Sequence, residues 1–216
     1  MIFMVMKKIK LTESDLYRII KQVLLEQEEE KRSITFSPGS FKSLITSSSG
    51  EGFVRTLNNK YDEIVIDGNL LLRKTPIQTL PNNLHVRGYL DLYGCKNLKS
   101  LPDNLYVKDY LYLRKSSIES LSDNFKIGTD LDLALTPIQY LPDNLRVEED
   151  LDLEGTPIQS LPDNLYVGGN LYLNDCKNLK SLPDNLDVKG VIHISGTVLD
   201  YDDELVDQYK RKYTIN

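Results

Sequence analysis

Apolar residues return along most of this chain on a beat of twenty. Leu141-Pro142-Asp143-Asn144-Leu145 recurs as Leu161-Pro162-Asp163-Asn164-Leu165, and again from Leu101 and Leu182. An Asn replaces the Asp in the copy from Leu80, and Leu121-Ser122-Asp123-Asn124-Phe125 is a looser copy. Starts at 80, 101, 121, 141, 161 and 182 set a period of 20, stretched to 21 twice. A degenerate earlier unit fits residues 60–79, with Ile64, Ile66, Leu70, Leu72 and Ile77 in the same slots. That makes about seven units over residues 60–199. A fixed period of this length is the signature of a stacked repeat array.

Within the unit that begins at Leu141, apolar residues stand at Leu141, Leu145, Val147, Leu151, Leu153 and Ile158. The Leu151-x-Leu153 alternation predicts one short strand per repeat, both leucines turned inward. Leu-Pro-Asp-Asn predicts a turn, because Pro presets φ and Asx side chains bond nearby backbone amides. A single coil cannot bury six residues by itself. Stacked coils can, so the predicted fold is a solenoid of short parallel strands.

Such an array needs capped ends. Residues 33–59 hold two short helical stretches, around Phe41-Lys42-Ser43-Leu44-Ile45 and Phe53-Val54-Arg55-Thr56-Leu57, separated by a Ser/Gly stretch, and are expected to form the N-terminal cap. Residues 200–216 place acids before bases, which complements a helix dipole. Leu205, Val206 and Tyr209 of that helix are expected to seal the last repeat. Residues 1–32 form an extension in which Thr12 N-caps an amphipathic helix with Leu16, Ile19, Ile20, Val23 and Leu24 on one face. That stripe packs on the array's end or pairs with another chain, so residues 12–30 offer a route to self-association.

The pattern Leu-x-Leu-x-x-Thr/Cys-x-(x)-Ile/Leu-x-x-Leu-Pro resembles leucine-rich repeats, most closely the short bacterial kind carrying Leu-Pro. The resemblance covers about two thirds of the chain. It implies a rigid array that binds a protein through its exposed strand face. Two features depart from the family. Thr75, Cys95, Ser116, Thr136, Thr156, Cys176 and Thr197 stand where Asn is usual, and a Val or Ile such as Val147 replaces a leucine before the strand.

Two further resemblances concern the ends. Lys7 to Leu16 is similar to the openings of proteins encoded by large tailed phages, and Leu24-Leu25-Glu26 resembles sites cut by prohead proteases. They imply an alternative role as a virion or packaged internal protein. Leu-Pro repeats behind N-terminal helices are also similar to secreted bacterial effectors. The ligases of that group carry a large C-terminal catalytic domain, whereas only 17 residues follow the repeats here. The second alternative is therefore an effector without a catalytic domain.

Composition narrows the partners. The chain is 40% hydrophobic and 27% charged, with a net charge of -6. That balance opposes broad nucleic-acid binding, which needs a basic face. No stretch approaches the ~20 apolar residues that span a bilayer. The basic residues Lys7, Lys8 and Lys10 follow the apolar start, the reverse of a secretory signal. The expected location is the cytoplasm of a bacterium or infected bacterial cell, with the virion as the alternative. Cys95 and Cys176 belong to no CxxC or Cys/His cluster, and four repeats between them, on the order of 19 Å, preclude a disulfide. Neither His85 nor His193 has a nucleophile nearby in sequence, and Gly168-Gly169 carries no phosphate-loop pattern. No catalytic residue, metal site or cofactor is expected.

Residues that flank the inward leucines point outward. The candidate contact face comprises Tyr89, Asp91, Tyr93, Tyr110, Tyr112, Arg114, Asp130, Asp132, Asp150, Asp152, Glu154, Tyr172 and His193. Asp130 is expected beside Asp150, and Asp132 beside Asp152. Like charges one strand apart cost on the order of 1 kcal/mol each. Two readings stay open: a basic protein partner relieves that repulsion, or the carboxylates are simply solvated.

Overall fold

In the computed structural model, the described residues are 33–47 and 50–216. The expected helix over 12–30 and the Leu24-Leu25-Glu26 tripeptide lie outside them. The described residues belong to one compact unit, a right-through stack of coils in which every strand pairs parallel with its neighbours.

Each coil contributes two short strands rather than the single one expected. The chain opens with β1 (Ser33–Phe36), α1 (Pro38–Ile45) and α2 (Gly50–Lys60). Seven strand pairs follow: β2 (Glu63–Ile66) with β3 (Leu70–Leu71), β4 (Leu84–Val86) with β5 (Leu90–Asp91), β6 (Tyr106–Val107) with β7 (Leu111–Tyr112), and β8 (Lys126–Ile127) with β9 (Leu131–Asp132). The series continues with β10 (Arg146–Val147) and β11 (Leu151–Asp152), β12 (Tyr166–Val167) and β13 (Leu171–Tyr172), and β14 (Asp187–Val188) and β15 (Val191–His193). Helix α3 (Asp203–Lys210) and β16 (Thr214–Ile215) close the chain.

The first members of the pairs line one side of the stack, as a five-stranded sheet β1-β2-β4-β6-β8 and a three-stranded sheet β10-β12-β14. The second members form an eight-stranded sheet in the order β16-β15-β13-β11-β9-β7-β5-β3 on the other side. We call these the first and second faces. The extra strand explains the departure at Val147. Val86, Val107, Ile127, Val147 and Val167 are the inward residues of the first face, and β-branched side chains suit a strand.

The interior consists of rows of equivalent residues. Leu90, Leu111, Leu151 and Leu171 are wholly buried, as are Leu92, Leu113, Leu133, Leu153 and Leu173 one step further on. The Leu-Pro-Asp-Asn segments do form turns, and their leucines and the Ile77 and Ile158 slots complete the core.

The corner after the second strand is dictated by backbone chemistry. Lys74, Gly94, Lys115, Leu135, Gly155, Asp175 and Gly196, at φ 54–74°, hold the left-handed conformation in every coil. The next residue turns inward to satisfy a carbonyl. Thr75, Thr136, Thr156 and Thr197 donate their hydroxyls to Leu72, Leu133, Leu153 and Ile194 at 2.6–2.7 Å. Cys95 and Cys176 share this corner, each sulfur 3.0 Å from a leucine carbonyl of the preceding coil. Both are free and buried, and burial pushes both thiols above their usual range, which suppresses the reactive thiolate.

Both ends are capped by the expected helices, supplemented by strands the periodicity does not reveal. Ser37 N-caps α1, with Pro38 in its first turn. Phe36, Phe41 and Phe53 meet edge to face at 5.6–6.2 Å, and Phe41, Ile45, Val54 and Leu57 are buried. At the other end Asp202 caps α3, its carboxylate accepting the Leu205 N–H at 3.0 Å. Tyr209 is buried and its hydroxyl accepts the Leu182 N–H at 2.8 Å, while Leu205 and Val206 pack at the core's margin. Strand β16 extends the second face by one strand beyond β15.

Leu151 is wholly buried in the middle of the stack. Leu151→Ala is expected to lower the free energy of unfolding by about 2–5 kcal/mol, measured by urea denaturation.

Candidate functional site

The central column of the second face is set by strand register. Leu71, Asp91, Tyr112, Asp132, Asp152, Tyr172 and His193 are successive partners along it. The expected juxtaposition of Asp132 and Asp152 is therefore present. Flanking columns carry Tyr89, Tyr110, Asp130 and Asp150 on one side and Tyr93, Arg114 and Glu154 on the other.

Exposure corrects the sequence-derived picture at Asp91. It lies on the outer side of its strand but is only 7% exposed, because Arg73 reaches its Oδ2 at 3.1 Å from the preceding coil. Arg73 also lies over the Tyr93 ring, 4.7 Å from its centroid. This part of the face is closed upon itself.

Several of the carboxylates serve the backbone. Asp130 accepts the Asp150 N–H at 3.2 Å, and Asp150 accepts the Asn170 N–H at 2.6 Å. Asn69 and Asn170 fill the same slot and accept from Tyr89 and Val191 at 3.1 and 2.9 Å. These N–H groups sit at the corner between the two faces, where no strand partner reaches them, so a side chain of the preceding coil takes that place. The central acids cap the backbone two residues on. Asp91, Asp132 and Asp152 accept from Tyr93, Ala134 and Glu154 at 2.9, 3.0 and 2.8 Å.

Arg114 decides the electrostatics of the middle. Its guanidinium crosses the neighbouring coil and reaches Asp152 at 3.2 Å and Glu154 at 3.1 Å. Ala134 lies in the intervening coil and is wholly buried. The like-charge cost expected for Asp152 is thus largely answered within the chain. Asp132 keeps no such partner: among the described residues its ion-pair chemistry is limited to the nearby charge of Arg114. Burial pushes its carboxyl up to about 6, the adjacent Asp152 adds to the rise, and the Ala134 N–H and Arg114 oppose it. Asp152 is raised too, through burial, against its backbone bond and Arg114.

Aromatic rings stand on both sides of these acids. Tyr110 and Tyr112 stack at 5.9 Å, and Tyr89 meets Tyr112 edge to face at 6.0 Å. Tyr172 and His193 stack at 4.7 Å, and Asn216 lies 3.4 Å from the imidazole Nδ1. Tyr110 and Tyr112 are 42% and 36% exposed, and Leu71 and Leu135 add exposed apolar surface to the same side.

Sequence reasoning missed the first face altogether. Its outward residues include His85, Tyr106, Lys126, Arg146, Tyr166 and Asp187. The signal was present in Tyr106-Val107, Lys126-Ile127, Arg146-Val147 and Tyr166-Val167, where a large polar residue precedes an inward β-branched one. This face is mostly paired internally. His85 Nδ1 lies 2.9 Å from Glu63, Arg146 Nε lies 2.6 Å from Glu148, and Lys189 lies 2.7 Å from Asp187. Arg146 also covers the Tyr166 ring at 3.6 Å.

Among the described residues no three His, Cys, Asp or Glu side chains are grouped to hold a metal ion, and no helix is long and apolar enough to cross a membrane. No known family model and no curated protein matches the chain.

Two stability measurements separate the roles of the acids. Asp150→Asn should leave unfolding by urea unchanged, since Asn already fills that slot at 69 and 170, whereas Asp150→Ala should cost about 1 kcal/mol through the lost N–H acceptor. Asp132 has a folded pKa of about 6, above its unfolded value near 3.8. The folded chain therefore takes up this proton first, so the contribution to stability is complete below about pH 4 and disappears as pH rises through 6. Asp132→Asn should raise stability at pH 7.5 by on the order of 1 kcal/mol, after allowance for solvent on its open side, and by little at pH 4.

Proposed function

We propose that the chain is a non-enzymatic binding module of the leucine-rich-repeat type, which docks a basic protein surface on its second face. The observation that carries this reading is the exposed Tyr110–Tyr112 stack beside Asp132, an acid with no ion pair of its own among the described residues. Aromatic rings provide rigid contact area at small entropic cost, and a partner's guanidinium or ammonium group next to Asp132 supplies the missing charge. The backbone bonds of Asp130, Asp132 and Asp150 hold the carboxylates in place before any partner arrives, which lowers the cost of ordering them on binding.

The opposite face supports the choice of side, because Arg146 and Lys189 already lie beside Glu148 and Asp187 there. A paired surface gains little from a new charged neighbour.

A photo-crosslinking residue at position 112 is expected to capture a basic protein that the same residue at position 126 does not. With that protein purified, Tyr112→Ala combined with Asp132→Asn should weaken binding at least tenfold, and wild-type affinity should fall as pH drops through about 6. Equal capture from both faces, or affinity indifferent to these changes, overturns the proposal.

A further inference from the structure

The stack is not uniform along its length. The first face is interrupted once, between β8 and β10, where a five-stranded sheet stops and a three-stranded sheet begins. Elsewhere on that face the backbone is linked coil to coil: Lys126 and Gly128 donate to Leu105 and Val107 at 2.9 Å, and Asp187 and Lys189 donate to Leu165 and Val167 at 3.0 and 2.9 Å. Between the coils of Ile127 and Val147 the remaining backbone bond is the long one from Glu149 to Thr129, at 3.4 Å. The second face has no such break. There Leu131, Leu133 and Leu135 donate to Asp150, Asp152 and Glu154 at 2.8–3.0 Å.

Three independent features fall at the same place. This coil carries the divergent copy of the repeat, with Ser122 and Phe125 where its neighbours have Pro and Leu. Among the described residues the buried side-chain hydroxyls that lack a partner are those of Ser122 and Thr129 in this coil and of Ser116 at the corner of the coil before it. Phe125 and Ile127 each retain 8% exposure, whereas in the adjoining coils Leu105, Val107 and Val147 retain none and Leu145 retains 5%. A phenyl ring in a leucine slot must be accommodated by its neighbours, and buried hydroxyls without partners forgo what hydrogen bonding would return.

We infer that the solenoid contains a soft joint between residues 121–129 and 141–149, which opens on the first face and pivots on the intact second face. Nearest-neighbour coupling is what holds repeat arrays together, so a weakened interface divides the stack into two more rigid halves. The Arg114 bridge to Asp152 and Glu154 spans this coil on the pivot side, tying the halves together where they do not separate. This inference is independent of the binding reading, since it concerns the opposite face.

Val107, Val147 and Val167 are equivalent and equally inaccessible in the static structure. Each is replaced singly by Cys in the full chain, and labelling by a small maleimide is followed under native conditions, with the parent chain as the control for Cys95 and Cys176. Val147→Cys is expected to react at least tenfold faster than Val107→Cys or Val167→Cys. Adding Ser122→Pro and Phe125→Leu should bring it back to their rate. Hydrogen exchange of the unaltered chain gives a check free of cysteine substitutions: residues 121–129 should exchange faster than 101–109, while 131–135 remain as protected as 111–115. Equal labelling at the three positions, failure of the repair to slow labelling, or loss of protection on both faces together overturns the joint.

Discussion

The structure depends on one constraint: no coil can hide its leucines or satisfy its backbone without the coil beside it. The inward residues of a twenty-residue turn face an interior only one coil deep, so each row of leucines is closed by the rows above and below. The same neighbours supply the hydrogen-bond partners of both short strands. Burial and backbone pairing therefore act along one axis, and the ends are the places where both fail. Helices α1 and α2 with β1, and α3 with β16, answer the two needs together, covering apolar surface and adding one further strand at each end.

That constraint also sorts the residue types. Slots that serve the stack admit few alternatives. The corner side chain is small throughout, and where it is Thr or Cys it reaches a carbonyl from inside. The position before the second strand takes Asn or Asp where it must accept an N–H from the next coil. Leu135 occupies a left-handed slot that Gly, Lys or Asp fills elsewhere, and a Cβ on Gly155 would come within 2.6 Å of its side chain. Slots that serve nothing in the stack vary freely, and on the second face several of them carry tyrosine.

Charge on the two faces follows different rules for the same reason. A parallel register brings identical slots of successive coils side by side, so a repeated acid meets a repeated acid unless another column intervenes. On the first face the intervening residues are opposite charges within reach. On the second, Arg73 pairs with Asp91, and Arg114 reaches across the coil of Asp132 to pair with Asp152 and Glu154. Burial raises the pKa of Asp132, and the neighbouring Asp152 adds to the rise against the pull of Arg114.

The sequence by itself made legible the period, the inward rows, the corner residues and the pairing of Asp132 with Asp152, because each follows from spacing along one repeated unit. It also showed the helices at the ends, through their own apolar and charge patterns. It concealed the first-face strands, whose two-residue length leaves only a single polar–apolar step such as Arg146-Val147 to detect. Tertiary structure alone decided which outward residues remain open. Asp91 is closed because an arginine eighteen positions earlier lies over it, and Asp150 serves the backbone because the next coil's N–H has nowhere else to go. Both outcomes depend on distances between coils, and those distances exist only once the coils have stacked.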